Sequence, residues 1–482
     1  MSISHSLSNA LSGLTAASRM AEVVSSNLSN ALTDGYGRRR LDLSSMNVGG
    51  RGAGVQIDGV LRMVDRSILS DRRLADSGMS GQKTLVKAWT RLETVIGAIG
   101  DDTGLSDQMA AVERAMIAAA SDPQSDQRLS SLVSQLGSLT AGLRNSAEGI
   151  RTLRQESDQS IATQVDDLNQ SLRQVATLNA DITRSRNTGG DPSALMDQRQ
   201  RVIDRIATIV PLREMDRAGG QVALMTTSGL TLLDGPPAQF GFTAATYVTP
   251  DMTLASGGLA GVTLDGAPLD LSNGYGKLAG GSLAAQFKLR DQTLTDAQSG
   301  LDAIARDLVE RFQDPATDPT LLAGDPGLLT DAGMAFDPLD TVGLSGRIAV
   351  NAAVDPARGG ALFRLRDGIN AAAPGPVGNA VQLNNWHDAL TERRSLTPGG
   401  QQTGAAGHVA AFTTAIGAGR VAADAEMSFA SARYGVLREA ELADGVDSDH
   451  EMQMLLRIEQ AYAANARVMQ TVQSMIQTLM EI

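Results

Sequence analysis

From Ile3 onward, apolar and small residues recur at alternating steps of four and three: Ile3, Leu7, Ala10, Leu14, Ala17, Ala21, Val24, Leu28 and Ala31. Sustained over four repeats, that spacing keeps one stripe on one side of a helix and predicts a helix packed on another helix. Asp34-Gly35, with Gly37 just beyond, predicts the stop. The C-terminus repeats the pattern through Leu455, Ile458, Tyr462, Asn465, Met469, Val472, Ile476 and Leu479, with Asn465 as the one polar interruption. Asp447-Ser448-Asp449 supplies a helix start and the negative charge that suits an N-terminus, and the helix is expected to run to Ile482. Seams at both chain ends imply that the ends meet each other, or meet equivalent ends of other copies.

Between the seams the period stays helical. One stripe is Leu85, Trp89, Leu92, Ile96 and Ile99; another is Leu105, Met109, Val112 and Met116. The longest runs from Leu129 through Leu153, Ile161 and Val175 to Ile182, which predicts a rod about 80 Å long at ~1.5 Å per residue, with Gly137, Gly142 and Gly149 as candidate bends or breaks. Asn187-Thr188-Gly189-Gly190-Asp191-Pro192 ends it. A shorter helix carries Leu195 to Ile209 and stops before Pro211; a later one runs from Leu294 to Phe312. Past Pro211 the texture changes. Gln221–Thr227, Gly229–Leu233, Val262–Leu264 and Arg347–Asn351 read as short strands, with Asp265-Gly266 as a hairpin turn. The predicted fold is mainly α with a β-containing insert, elongated and discontinuous. A terminal helical domain takes 1–60 and 435–482. A long-helix bundle takes 61–215 with 281–315 and 405–434. An outer β-containing domain takes 216–280 with 316–404.

Composition narrows the function classes. The 482 residues carry a formal charge of −13 and no Cys. An acidic chain is a poor partner for phosphate backbones, so nucleic acid is not expected. No disulfide, Cys-based metal site or thiol chemistry is available. No apolar run approaches the ~20 residues that span a bilayer, and Met1–Met20 lacks the basic start and apolar block of a Sec signal peptide.

Candidate chemistry is thin. His5, His387, His408 and His450 fall in no metal-binding spacing. No nucleophile elbow or phosphate-binding loop is present; Gly49-Gly50-Arg51-Gly52-Ala53-Gly54 does not open a helix after a strand. Asp101-Asp102 and Asp166-Asp167 read as solvated or capping pairs, and His387 beside Trp386 as a structural histidine or a pocket residue. Arg38-Arg39-Arg40 is either a solvated turn or half of an inter-subunit salt bridge. No enzyme activity and no cofactor are expected.

Ser25-Ser26-Asn27-Leu28-Ser29-Asn30-Ala31-Leu32-Thr33-Asp34-Gly35-Tyr36-Gly37-Arg38 resembles the N-terminal signature of the bacterial flagellar rod, hook and hook-associated axial proteins. Asn27, Asn30, Thr33, Gly35, Tyr36 and Arg38 carry the likeness; Ser29 stands where that family usually has Ala. Gln460, Ala461, Tyr462 and Arg467 are similar to the family's terminal motif, ahead of an amphipathic end helix. The helical middle, with Leu178–Ile182, Leu195–Arg199 and Gly280–Leu283, resembles the hook-associated members, while 316–404 departs from their pattern.

The resemblance implies an extracellular axial protein, exported unfolded by the flagellar type III apparatus without a cleaved signal peptide. It would assemble as a ring of copies between hook and filament. The implied neighbours are the hook protein and a second hook-associated junction protein, with an export chaperone at the C-terminal helix. The seam residues Ile3, Leu7, Leu14, Val24, Leu28, Leu455, Ile458, Tyr462, Met469, Val472, Ile476 and Leu479 would form the subunit interface. The alternatives are a hook or distal-rod structural protein of the same family, or a secreted coiled-coil adhesin.

Overall fold

The computed structural model describes residues 3–48, 51–97, 104–271 and 275–481. Ile99, Asp101-Asp102, Gly49-Gly50 and Ile482 lie outside the described residues.

One helix, Asp126–Asn187, is the spine of the chain. Its 62 residues span roughly 93 Å at ~1.5 Å per residue. Ser125 caps its start by accepting a hydrogen bond from the Arg128 N–H, and the turn at Thr188-Gly189 ends it, Gly189 supplying a φ of 72°. Gly137, Gly142 and Gly149 neither break nor terminate it; each costs helix propensity, but packing along both halves outweighs that.

The spine serves two cores in succession. Leu129, Leu132, Leu136, Leu139, Leu143 and Ile150 pack with helices Leu105–Ser121 and Leu294–Gln313. Ile161, Val165, Leu168, Leu172 and Val175 pack with helix Ser193–Ile209 and with a three-stranded antiparallel sheet, Leu212–Asp216, Val222–Thr226 and Thr231–Leu233. Between the two cores the buried face turns polar. Arg154 donates to the carbonyls of Thr249, Pro250, Met252 and Arg290, and Asp158 pairs with Arg290 at 2.6 Å; the Arg154, Asp158 and Arg290 side chains are buried. Asp158 offsets the Arg290 charge, and the buried Arg154 guanidinium is satisfied by carbonyl oxygens, so the polar groups between the cores are matched by hydrogen bonds.

The two stretches grouped as one outer unit lie in different cores. Residues 222–271 pack on the second half of the spine, and 321–390 on the first. Their strands are short. Thr263–Leu264 and Ala267–Pro268 form the hairpin at Asp265-Gly266, whose φ values of 49° and 84° suit that turn. In 316–404 the strands are Leu329–Asp331 and Ile348–Val350, and the stretch also holds helix Val381–Thr391. Trp386 explains the latter's burial: fully enclosed, it meets the Phe312 ring edge-on at 5.5 Å and donates to the Leu365 carbonyl.

At the terminal end, helix α1 (Ile3–Ser29) leads into a long antiparallel hairpin, β1 (Arg38–Val48) and β2 (Arg51–Met63). Helix α2 (Arg66–Ile96) follows, begun by Asp65, whose carboxylate accepts from Ser67 and Ile68. The chain returns through helix Ala405–Ala443, packed on α2, and closes with the C-terminal helix Ser448–Met480, packed on α1.

Candidate assembly site at the chain termini

Asn27, in the last turn of α1, is buried and makes four hydrogen bonds. Its Nδ2 donates to the Arg39 carbonyl at 2.8 Å and to Glu451 Oε2 at 3.1 Å. Its Oδ1 accepts from the Arg39 N–H and the Tyr36 hydroxyl, both at 2.9 Å. Two donors and two lone pairs are all used, so the amide is fully satisfied inside the fold. Glu451, buried in the first turn of the C-terminal helix, also accepts from Arg38 Nε at 2.7 Å. One side chain therefore joins the end of the first helix, the start of the hairpin and the start of the last helix.

The remaining signature residues build the turn around it. Asn30 Nδ2 donates to the Ser26 carbonyl at 2.9 Å, a second donor to an oxygen that already accepts from the Asn30 N–H at 3.2 Å. The Thr33 N–H donates to the Asn30 carbonyl and the Tyr36 N–H to the Thr33 carbonyl, while Gly35 takes a φ of 75°. Tyr36 lies under the Arg39 guanidinium at 4.9 Å. Burial pushes its phenol above the ordinary 10.0, with the Ser26 hydrogen bond and the Arg39 charge acting the other way.

Asp197, on helix Ser193–Ile209, ties this turn to the helical body. It accepts from the Gly37 N–H at 3.0 Å, from Arg39 Nη2 at 3.0 Å and from Arg62 Nε at 2.7 Å. A second set of ion pairs continues inward: Arg72 with Asp204 and Glu441, and Arg73 with Asp204 and Glu214. Arg38 and Arg39 thus pair within the chain rather than facing solvent, and Arg40 is exposed.

The seam itself is antiparallel, and its register is readable. Asn27 meets Glu451, and Gly13 lies against Asn465, where a Cβ would fall 2.7 Å from Asn465 Nδ2. The two pairs are two heptads apart on each helix, so one register holds throughout. The polar interruption at Asn465 faces the residue with no side chain. Ala17, Val24 and Ile458 form a small core with Met20, Ala21, Met454 and Leu455 against it.

Other seam residues are less covered. Ile3, Leu7, Leu14 and Met469 are half-buried, Val472 is buried, and Leu28 and Tyr462 are exposed. Ile476 and Leu479 are 36% and 62% exposed. Gln460, Ala461 and Arg467 of the terminal motif are also exposed.

Three family descriptions match the sequence, in the order this architecture presents them. Residues 7–36 match "Flagella basal body rod protein" and 443–482 match "Flagellar basal body rod FlgEFG protein C-terminal". Residues 89–328 match "Flagellar hook-associated protein FlgK helical domain". The chain belongs to the flagellar hook-associated family. "Flagellar hook-associated protein 1" of Escherichia coli is 24% identical over 315 residues, covering 64% of this chain and 56% of that protein. The Bacillus subtilis protein of the same name is 24% identical over 505 residues, covering 96% of this chain and 95% of that protein. The match thus spans little more than half of the enterobacterial relative and nearly all of the Bacillus one. The flagellar hook junction protein FlgK from Burkholderia pseudomallei is a structural neighbour at 17% identity and a TM-score of 0.46, covering 55% of this chain and 47% of that one.

The family is one of structural flagellar proteins. Among the described residues, no group of three or more His, Asp or Glu could hold a metal ion, and no helix is long and apolar enough to cross a membrane. His387 is part-exposed beside Asp388, next to the buried Trp386. Sequence reasoning missed Glu451, Asp197 and Arg62 as the partners that hold the signature in place, and read Arg38-Arg39-Arg40 as a solvated turn or an inter-subunit salt bridge where Arg38 and Arg39 pair within the chain. The available signal was chemical. An Asn near a helix end and an acid in the first turn of another helix are both polar residues bordering apolar seams.

Proposed function

We propose that the chain is a structural axial component of the bacterial flagellum. It would form the junction ring between hook and filament by packing its terminal helices against those of further copies. What supports the reading most is the uncovered end of the seam. Ile476 and Leu479 continue the apolar face that buries Ile458 and Val472, yet they are 36% and 62% exposed in the free chain. A helix with an apolar stripe running past its partner gains burial only from another molecule.

On this reading the hook protein lies on one side of the ring and a second hook-associated protein on the other. An export chaperone shields the C-terminal helix before secretion, and the working location is extracellular, reached without a cleaved signal peptide. No catalytic step and no cofactor enter. Residues 1–60 with 435–482 are the assembly domain, and the rest decorates the ring. The rod-protein matches at both ends favour one second reading, a hook or distal-rod subunit.

Immunogold electron microscopy of purified hook–basal bodies separates these. Label confined to the hook tip is the expected result. Label along the hook or in the rod would establish the second reading, and label away from flagella would indicate an adhesin.

A further inference from the structure

Helix Ala405–Ala443 packs one face on α2, with Gly419 against the Trp89 ring and Arg420 paired with Glu93. The opposite face carries a second apolar seam. Ala418, Ala422, Ala425, Phe429, Ala432 and Val436 recur at alternating steps of four and three, and all six are exposed. That spacing suits a second helix laid alongside. Val421 and Leu442 widen the face on one flank. Val421, Phe429, Val436 and Leu442 are 58%, 70%, 67% and 57% exposed, so large side chains, and not alanine alone, stand in water along it. Apolar surface gathered on one face in this way marks a contact with another molecule.

Two charges on the other flank decide what fits. Glu426 and Arg433 are seven residues apart, which puts them on the same side of the helix. Both are exposed, and neither forms an ion pair among the described residues. Two copies of this helix laid antiparallel, with a two-fold axis near Ala430 and Ser431, set Phe429 against the partner's Ala432 and Val436 against the partner's Ala425. Each large side chain then meets a small one. The same register brings Glu426 to the partner's Arg433 and Val421 to the partner's Leu442, and symmetry makes each of these contacts twice. A parallel pair would instead set Arg433 beside the partner's Ser428 and Glu426 beside the partner's Val421, leaving both charges unmatched.

We propose that the free chain forms a two-fold dimer through this face, its occupant a second copy of helix Ala405–Ala443 running antiparallel. Most seam positions are alanine, so little apolar area is buried per turn and the dimer is reversible. Copies in a ring share one direction along its axis, so this pair belongs to the chain before assembly and parts when the ring forms. It stands or falls on the free protein, independently of where the chain sits in a flagellum.

Sedimentation velocity of the purified full chain over a concentration series tests this. A monomer–dimer equilibrium is expected, and Phe429→Glu should abolish it. The terminal seams also expose apolar surface, so exchange of charges is the deciding measurement. Glu426→Arg alone and Arg433→Glu alone each set like charges opposite one another twice, and each should weaken the dimer about tenfold. The double variant should restore it, and so should an equimolar mixture of the two single variants, since only an antiparallel pair matches the charges across two different chains. Both positions are exposed, so these variants keep their fold, as an unchanged circular dichroism spectrum would confirm. A chain that stays monomeric throughout the series, a dimer indifferent to Phe429→Glu, or single variants that neither the double variant nor the mixture rescues would overturn the proposal.

Discussion

Asn27 and Glu451 lie 424 residues apart in sequence and share a buried 3.1 Å hydrogen bond. Glu451 brings a full charge into that site, and Arg38 and the Asn27 amide compensate it. The signature at one end of the chain is thus completed by the first turn of the helix at the other. Either end alone would leave a buried polar group unmatched, which couples the two helices more firmly than their small apolar core could.

Replacing Asn27 tests that coupling. Asn27→Ala leaves the Arg39 N–H, the Tyr36 hydroxyl and Glu451 each short of a partner, and should cost about 1–3 kcal/mol locally. Asn27→Asp removes the donor and sets a second carboxylate against Glu451. It should be the worse variant at neutral pH and recover part of the loss as acid protonates the pair. Hydrogen exchange across 448–480 reads this directly, with faster exchange in both variants. An Asp variant as protected as the wild type at neutral pH would refute the role assigned to the amide.

The close approach at Gly13 makes a pairwise prediction. A methyl there meets the Asn465 side chain, not backbone, so Asn465 must rotate away. Gly13→Ala should be close to neutral, because the end of the Asn465 side chain can swing aside and alanine gains about 1 kcal/mol of helix propensity, whereas the branched side chain of Gly13→Val should loosen the terminal helix pair by about 1 kcal/mol or more. Asn465→Ala should relieve Gly13→Val, giving a non-additive cycle. Limited proteolysis at the chain ends can follow it. Additive effects would mean the register does not bring these two residues together.

Asp76 carries the pH prediction. Burial raises its pKa above 3.8; Arg72, 3.5 Å away, pulls the other way, and Asp204 adds to the rise. The folded state therefore binds this proton more tightly than the unfolded state. Ionisation costs stability above the raised pKa, and that cost disappears as pH falls to the unfolded value. Asp76→Asn, which mimics the protonated form, should raise the denaturation midpoint at pH 7, and the gain should shrink toward zero in acid. A variant less stable than wild type at pH 7 would show that the Arg72 contact outweighs desolvation.

How much of this the sequence disclosed depended on how burial was achieved. Where Leu, Ile and Val do the burying, as along Leu129–Ile182 and both seams, period alone located the helices. The first half of α2 gave no such stripe because Arg72 and Arg73 are buried there by ion pairing, so the pattern became visible only at Leu85. The hairpin after α1 was equally obscure. Leu41 and Leu43 alternate only briefly between arginines and serines, and the register slips by a bulge between Asp42 and Leu43. Asp314–Asp340 and Ala371–Gly378 are rich in proline, glycine and aspartate and read as loops or covers, while Leu365, Leu383 and Trp386, outside those two ranges, anchor 316–404 in the first core. At the terminal site the motif was legible as a string of residues. Its partners, Glu451 and Asp197, were not, because hydrogen bonds to distant segments leave no period.

Leu479 separates assembly from folding. It lies on the seam two heptads below Asn465 but is 62% exposed, so in the free chain it contributes little. Leu479→Asp should shift monomer unfolding by no more than about 0.5 kcal/mol, as exposed substitutions do. In a ring the same position would be covered by another copy. Truncating a buried Leu costs ~2–5 kcal/mol, and an unpaired carboxylate in an apolar seam adds to that. The cost recurs at every copy, so a small local defect is multiplied around the ring. Gln477→Asp adds the same charge off the seam, at an exposed position whose amide donates to Glu481, and should be nearly silent. The expected outcome is normal melting for both proteins, with cells carrying Leu479→Asp shedding filament protein into the medium and failing to swim. Filaments of normal length in those cells would mean that the end of this helix is not the contact between copies. A monomer destabilised by several kcal/mol would instead mean that Leu479 is already covered within its own chain.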